Sequence, residues 1–236
     1  MRYKGFYFII ILAVIFITVV FSPNISFYRN HINHKQFKIY SDIKIDDNIY
    51  KILDDVEEKL VASEIYNSTL NYKIFISSDF KPYSIFCPSL KDAFAATYPI
   101  INNIFISKTD IENNLVVRNA SEDNERSLSS VITHEVTHKL IENEIGVNAN
   151  RKLQIWKKEG YCEYISGESV LNLKAGINQV YNGANSFSPA FDYLKYRIFI
   201  TYLLDVKEHT FKSIIETEFD IHALEKELMA YRHNHY

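Results

Sequence analysis

Residues 128–145 read Leu-Ser-Ser-Val-Ile-Thr-His-Glu-Val-Thr-His-Lys-Leu-Ile-Glu-Asn-Glu-Ile and contain two histidines four positions apart, His134 and His138. Apolar residues recur here at spacings of three and four, which predicts a helix that ends before Gly146. Because positions i and i+4 share one face of a helix, both imidazoles can reach a single metal ion. The stretch therefore predicts a helix that offers two metal ligands.

Glu135 follows the first histidine directly. On a helix it is rotated by about 100° from His134, so its carboxylate can reach a water on the metal's open position without becoming a ligand. A helical His-Glu-x-x-His pattern is typical of zinc peptidases, in which the glutamate is the general base. We therefore expect Glu135 to be the catalytic base.

The next segment, residues 151–166, predicts a second helix that packs antiparallel on the first after a short turn. Such a return brings Glu159 beside the two imidazoles as a third ligand. Three protein ligands leave one position for water, which is the arrangement of catalytic zinc sites. Glu163, one turn further along, is placed to accept a hydrogen bond from the free nitrogen of a ligand histidine.

These two segments together resemble the gluzincin metallopeptidases, the thermolysin-like and aminopeptidase-like group. The resemblance rests on His134-Glu135-x-x-His138 followed by Trp156-x-x-Glu159-Gly160-x-x-Glu163-Tyr164. It implies zinc ligands at His134, His138 and Glu159, the general base at Glu135, and an acid at Glu163 that supports the ligands.

The donor that stabilises the developing oxyanion has two candidates. Tyr193-Leu194-Lys195-Tyr196 resembles the Tyr-x-x-Gly segment of aminopeptidase-like gluzincins, although Tyr196 replaces the glycine. The resemblance implies that the Tyr193 hydroxyl is the donor. A histidine has this task in thermolysin-like sites, so His209 is the alternative.

Composition limits the remaining possibilities. The chain has 236 residues, 47% of them hydrophobic, and a net charge of −3. This allows one sizeable domain or two small lobes, and dispersed lysines argue against a nucleic-acid partner. Cys162 is expected to point away from Glu159 and Glu163 and to be a packed thiol or half of a disulfide rather than a nucleophile. The sequence leaves open whether it pairs with Cys87.

The N-terminus predicts a membrane segment. Residues 5–21 are uncharged and follow Arg2 and Lys4. This pattern indicates a signal anchor at residues 1–22, followed by a tether at residues 23–35. The positive residues keep the N-terminus in the cytoplasm and place the catalytic domain outside it. Cleavage of this segment would make the protein secreted.

Alternating apolar and polar residues predict the strands, and apolar residues at spacings of three and four predict the helices. A strand from Phe37, a helix over residues 47–66 and a strand at residues 72–76 form a parallel unit, and residues 94–98 and 104–107 form a hairpin. By resemblance, residues 103–107 form the edge strand that binds the peptide, with an interior strand as the alternative.

We therefore expect an α+β metallopeptidase domain at residues 36–236. Residues 36–146 form a lobe with a small mixed sheet and the active-site helix, and residues 147–236 form a mainly helical lobe, with the zinc between them. The expected activity is zinc-dependent hydrolysis of a peptide or protein substrate. Two alternatives stay open: a catalytically silent, membrane-anchored binding module that retains zinc, and a metal-free helical interaction protein.

Overall fold

The structure of the chain is a computed structural model that describes residues 7–8, 11, 23, 27–98, 103–121, 124–167, 173–182 and 189–235. The fold combines a small mixed β-sheet with helices, as the sequence predicts. The chain divides into two compact units. The sheet unit comprises Met1–Leu53 and Ser68–Leu128, and the helical unit comprises Asp54–Asn67 and Ser129–Tyr236.

Seven strands in the described part of the chain form one sheet, in the order β1-β2-β3-β5-β6-β7 with β4 also paired to β5. Their bounds are β1 Asn30–His34, β2 Phe37–Ser41, β3 Tyr72–Ser77, β4 Ala95–Thr97, β5 Asn103–Asp110, β6 Leu115–Val117 and β7 Glu125–Ser127.

Strands β2 and β3 are parallel, and helix α1 (Asn48–Val61) connects them. Apolar residues at spacings of three and four give α1 one buried face, formed by Ile49, Ile52, Leu53, Val56 and Leu60. The predicted strand-helix-strand unit is therefore confirmed. A short helix, α2 (Phe80–Phe86), and a 3₁₀ turn at Pro88–Leu90 follow β3.

Strands β4 and β5 are antiparallel, which confirms the predicted pairing of this hairpin. However, β5 lies inside the sheet, because β3 pairs with it on one side while β4 and β6 pair with it on the other. The prediction that residues 103–107 form a substrate-binding edge strand is wrong. The five residues from Asn103 to Ser107 are all buried, as an interior strand requires.

The folded sheet begins before the predicted domain start at residue 36. Residues 30–34, in the predicted tether, form β1 and pair antiparallel with β2, and Tyr28 is completely buried. Apart from residues 7, 8 and 11, the predicted anchor at residues 1–22 lies outside the described residues. Among the residues that are described, no helix has the length and apolar character needed to span a membrane.

The core of the sheet unit is rich in aromatic side chains. We call the aromatic cluster the buried set that surrounds Phe105 and Phe75, whose ring centroids are 4.9 Å apart. The Tyr28 hydroxyl, which belongs to this cluster, is 2.8 Å from Ser77 Oγ. Its members are Tyr28, Tyr40, Phe75, Tyr83, Phe86, Cys87, Ala96 and Phe105.

Two long helices dominate the region that contains the sequence motif. Helix α3 (Leu128–Ile145) matches the bounds of the predicted motif helix, and residues 129–145 belong to the helical unit. Where the sequence predicted a turn, a short helix, α4 (Val147–Lys152), precedes α5 (Ile155–Ser166). The chain continues with α6 Leu173–Asn182, α7 Pro189–Thr201, a π-helical turn at Tyr202–Val206, α8 Phe211–Glu216 and α9 Ile221–His235.

Helix α3 buries polar residues as well as its apolar stripe, and its own backbone accepts hydrogen bonds from two buried threonines. Thr133 Oγ1 donates to the Ser129 carbonyl and Thr137 Oγ1 to the Thr133 carbonyl, each at 2.8 Å. Since a buried hydroxyl without a partner destabilises the fold, these bonds allow a helix with many polar residues to lie in the interior. The histidines of the motif therefore lie on a helix that is largely buried.

Candidate functional site

Helices α3 and α5 pack antiparallel. Ser130 near the start of α3 donates a 2.8 Å hydrogen bond to the carbonyl of Ser166 at the end of α5. One turn further along α3, His134 contacts Glu163 and Glu159 of α5. The predicted antiparallel return is thus confirmed, and it brings the glutamates beside the histidines.

Gly160 allows α7 to approach α5 closely. A Cβ atom at this position would lie 2.6 Å from the Tyr196 carbonyl oxygen and 2.8 Å from Ile200 Cγ1. Real Cβ atoms do not approach backbone oxygen so closely, so any larger residue would push the two helices apart. The glycine beside Glu159 therefore allows α7, which carries Tyr193, to pack against the helix that carries the site.

Three donor atoms converge between the two helices. His134 Nε2 and His138 Nε2 are 3.1 Å apart, and Glu159 Oε2 lies 3.3 Å from the first and 3.4 Å from the second. Tetrahedral zinc with bonds of 2.0–2.1 Å separates its ligand atoms by about 3.3 to 3.4 Å. The spacing of these nitrogen and oxygen donors therefore fits one tetrahedral metal ion.

Glu163 supports the first histidine from the opposite side of its ring. Glu163 Oε1 lies 2.9 Å from His134 Nδ1, and both side chains are about one-tenth exposed. The contact is short, but the ring N–H is not aligned with it, so the attraction is mainly electrostatic. This is the position that the sequence predicted for an acid that fixes a ligand histidine.

The electrostatics of the site couple His134 to both glutamates. Burial alone would lower the pKa of His134, but its contacts with Glu159 and Glu163 outweigh this effect and raise the pKa to about 10. Burial likewise acts to raise the pKa of Glu159, but His134 and His138 hold it well below its usual range. The cluster therefore stabilises an ionised carboxylate beside a positive charge, which is carried either by a protonated histidine or by a metal ion.

The orientation of Cys162 differs from the one that the sequence predicts. Its fully buried sulfur lies 3.3 Å from His138 Nδ1, so the side chain faces the site rather than away from it. Residues i and i+3 share a helix face, and the spacing from Glu159 to Cys162 was the signal. Neither cysteine forms a disulfide. Burial, together with the nearby carboxylates of Glu159, Glu135 and Glu163, raises the pKa of the Cys162 thiol.

A second donor set involves this thiol. One ring nitrogen each from His134 and His138 and the sulfur of Cys162 lie within 4.8 Å of one another. Tetrahedral zinc needs a sulfur-to-nitrogen separation of about 3.5 Å, so this set is looser than the one with Glu159. The two histidines are common to both sets, and the Glu159 set is the better geometric match.

The two predicted catalytic side chains lie close to this cluster. Glu135 is half-buried, and its charge acts on both His134 and Cys162. The Tyr193 ring centroid is 6.5 Å from that of His134, and the side chain is 36% exposed. Both residues therefore lie near the position that a molecule bound beside the histidines would take.

His209, the alternative oxyanion donor, has a different environment. Its Nδ1 lies 3.0 Å from Ser213 Oγ, and its ring packs against Phe219. Thr210 caps α8 directly after it. These contacts give His209 a structural role at the start of α8, and Tyr193 is the candidate that lies beside His134.

No protein-family model matches the sequence, and no curated protein is significantly similar to it. Functional inference therefore rests on the chemistry of the cluster itself.

Proposed function

We propose that this protein is a zinc-dependent peptidase in which His134, His138 and Glu159 bind the metal. The observation that carries the proposal is the convergence of two imidazole nitrogens and one carboxylate oxygen at mutual distances of 3.1, 3.3 and 3.4 Å. Three protein ligands of this kind leave one position for water or substrate, unlike the four of a structural zinc site.

The donor chemistry also supports zinc. Imidazole nitrogen and carboxylate oxygen are both common zinc ligands, and Glu163 beside His134 Nδ1 supplies the outer contact that orients a ligand imidazole. When bound, zinc supplies a Lewis acid that lowers the pKa of water toward 7 and polarises a carbonyl group.

Glu135 and Tyr193 complete the proposed machinery. The Glu135 carboxylate accepts a proton from the attacking water and delivers it to the nitrogen of the leaving amine. The Tyr193 hydroxyl donates a hydrogen bond to the oxygen that becomes negatively charged as the peptide bond breaks. Glu163 keeps the His134 ring oriented so that Nε2 faces the metal.

Substitution of the base tests this function. In the full-length chain, Glu135→Gln should retain zinc but lose about 10²- to 10⁴-fold in turnover of a fluorogenic peptide library, because the amide cannot accept the proton. Elemental analysis measures zinc in the same preparations. Glu144→Gln is the matched control, since Glu144 is an exposed residue of the same helix.

Two results would contradict the proposal. Undiminished hydrolysis by Glu135→Gln would exclude Glu135 as the base. A wild-type protein that contains zinc and binds peptides but hydrolyses none would instead favour the catalytically silent binding module.

A further inference from the structure

The imidazole of His138 is contacted at both ring nitrogens. Nε2 lies 3.1 Å from His134 Nε2 and 3.4 Å from Glu159 Oε2, whereas Nδ1 lies 3.3 Å from the sulfur of Cys162. Cys162 is on α5, one turn after Glu159, and has no exposed surface. A single helix therefore supplies both a proposed metal ligand and a contact to the far side of a second ligand.

We propose that Cys162 is a positioning residue for His138. The His138 Nδ1–H donates a hydrogen bond to Cys162 Sγ, which fixes the tautomer so that Nε2 keeps its lone pair and faces the metal. This inference rests on the zinc site of the proposed function. Outer contacts of this kind orient ligand histidines and affect metal affinity.

The geometry argues against Cys162 as a ligand in the same site. The sulfur approaches Nδ1, whereas the donor atoms of His134 and Glu159 approach Nε2. A metal bound at Nε2 lies beyond the opposite side of the imidazole ring from the sulfur. With His138 bound through Nε2, its ring separates the thiol from the metal.

Helix α5 therefore contacts the Nδ1 atom of both histidines. Glu163 contacts His134 Nδ1 and Cys162 contacts His138 Nδ1, so each Nε2 faces the point where the donors converge. A neutral thiol has an advantage at this buried position. Glu159 and Glu163 already place two carboxylates in the cluster, and another carboxylate would add repulsion and a further desolvation cost.

The test compares three variants of the full-length chain. Cys162→Ala removes the acceptor, and Cys162→Ser replaces it with a hydroxyl that also accepts a hydrogen bond. Cys87→Ala is the matched control, because Cys87 is the other buried cysteine and belongs to the aromatic cluster. Zinc affinity is measured by competition with a chelator, and cobalt-substituted protein is measured by absorption spectroscopy.

The expected result is a zinc affinity about 10- to 100-fold weaker in Cys162→Ala, as for other outer contacts of zinc ligands. Cys162→Ser should recover most of the lost zinc affinity, and Cys87→Ala should bind zinc like the wild type. The cobalt form of the wild type should lack a near-ultraviolet sulfur-to-cobalt charge-transfer band, because the thiol is not a ligand.

Three results would overturn the inference while leaving the metal site intact. These are an unchanged affinity in Cys162→Ala, an affinity in Cys162→Ser as weak as in the alanine variant, and a charge-transfer band that disappears in Cys162→Ser. If Cys162→Ala does not fold, the serine variant and the cobalt spectrum decide. A folded wild type that takes up neither metal would refute the zinc site itself, together with the role of Cys162.

Discussion

The aromatic cluster of the sheet unit and the polar cluster of the helical unit bury opposite kinds of chemistry. In the first, stacked rings surround Phe105, and the Tyr28 hydroxyl has a partner in Ser77. In the second, His134, Glu159, Glu163 and Cys162 lie together with little or no exposure. Burying ionisable groups costs free energy that a hydrophobic core does not, and clusters with strongly shifted pKa values are candidates for function.

One tyrosine near each cluster tests this comparison, because Tyr193 should affect turnover whereas Tyr28 should affect only stability. Tyr193→Phe should reduce turnover by about 10²- to 10³-fold with zinc retained, because it removes a donor aimed at developing charge. Tyr28→Phe removes the bond to Ser77 and should cost about 1 kcal/mol in the free energy of unfolding without changing turnover per folded molecule. Steady-state kinetics and urea unfolding measure the two effects.

Turnover that is equal in Tyr193→Phe and in the wild type would remove Tyr193 from the mechanism. It would also mean that the site contains a different oxyanion donor.

The close packing at Gly160 provides the next test. Gly160→Ala should lower the free energy of unfolding by about 1–3 kcal/mol, because the added Cβ meets the Tyr196 carbonyl oxygen at 2.6 Å. It should also weaken zinc binding, since Glu159 is the adjacent residue. Urea denaturation and chelator competition measure these effects.

Gly146→Ala is the control for the Gly160 variant. Gly146 has φ of 79° and no atom within 4 Å of an added Cβ, so only backbone strain opposes the substitution. It should leave zinc affinity unchanged. A Gly160→Ala protein with the stability and zinc affinity of the wild type would contradict the tight contact between α5 and α7.

The pKa of His134 predicts the pH dependence of the polar cluster. Because the neighbouring carboxylates raise this pKa to about 10, we expect the metal-free protein to carry a protonated His134 at pH 8. Zinc requires a neutral imidazole, so binding should release about one proton and strengthen about tenfold per pH unit below pH 10. Calorimetry in buffers of different ionisation enthalpy counts the released protons.

The same shift affects the stability of the metal-free protein. A folded-state pKa above the unfolded value of about 6.5 stabilises the fold fully below pH 6.5, and this contribution is lost as the pH rises toward 10. The melting temperature of the metal-free protein should therefore fall over this range. Glu163→Gln should reduce both this slope and the proton count, and zinc binding without proton release would contradict the coupling.

The sequence predicted the relative positions of side chains in the polar cluster well where both residues lie on one helix. The spacing of His134 and His138, and of Glu159 and Glu163, gives their relative positions because each pair lies one turn apart on the same helix. The same rule applied to Cys162, but the prediction that it points away from the site was wrong. Residues three apart on a helix differ by only about 60°, so Cys162 belongs on the face of Glu159.

Strand order was less predictable. The hairpin of β4 and β5 follows from local patterning, but the interior position of residues 103–107 depends on β3 at the other side, and β6 pairs only with Lys108–Asp110. Strand β6 has only three residues, Leu115–Val117, too few for an alternating pattern to stand out. The parallel pairing of β3 and β5 connects segments distant in sequence, so residues 103–107 alone could not distinguish an edge from an interior strand.

Zinc stoichiometry tests the central claim most directly. Elemental analysis would compare the full-length wild type with His138→Ala and Glu159→Ala, and with His222→Ala as a control whose side chain is 89% exposed. The account predicts about one zinc per chain in the wild type and the control, and its loss or marked weakening in the other two. A well-folded wild type that contains no zinc even after reconstitution would contradict the account.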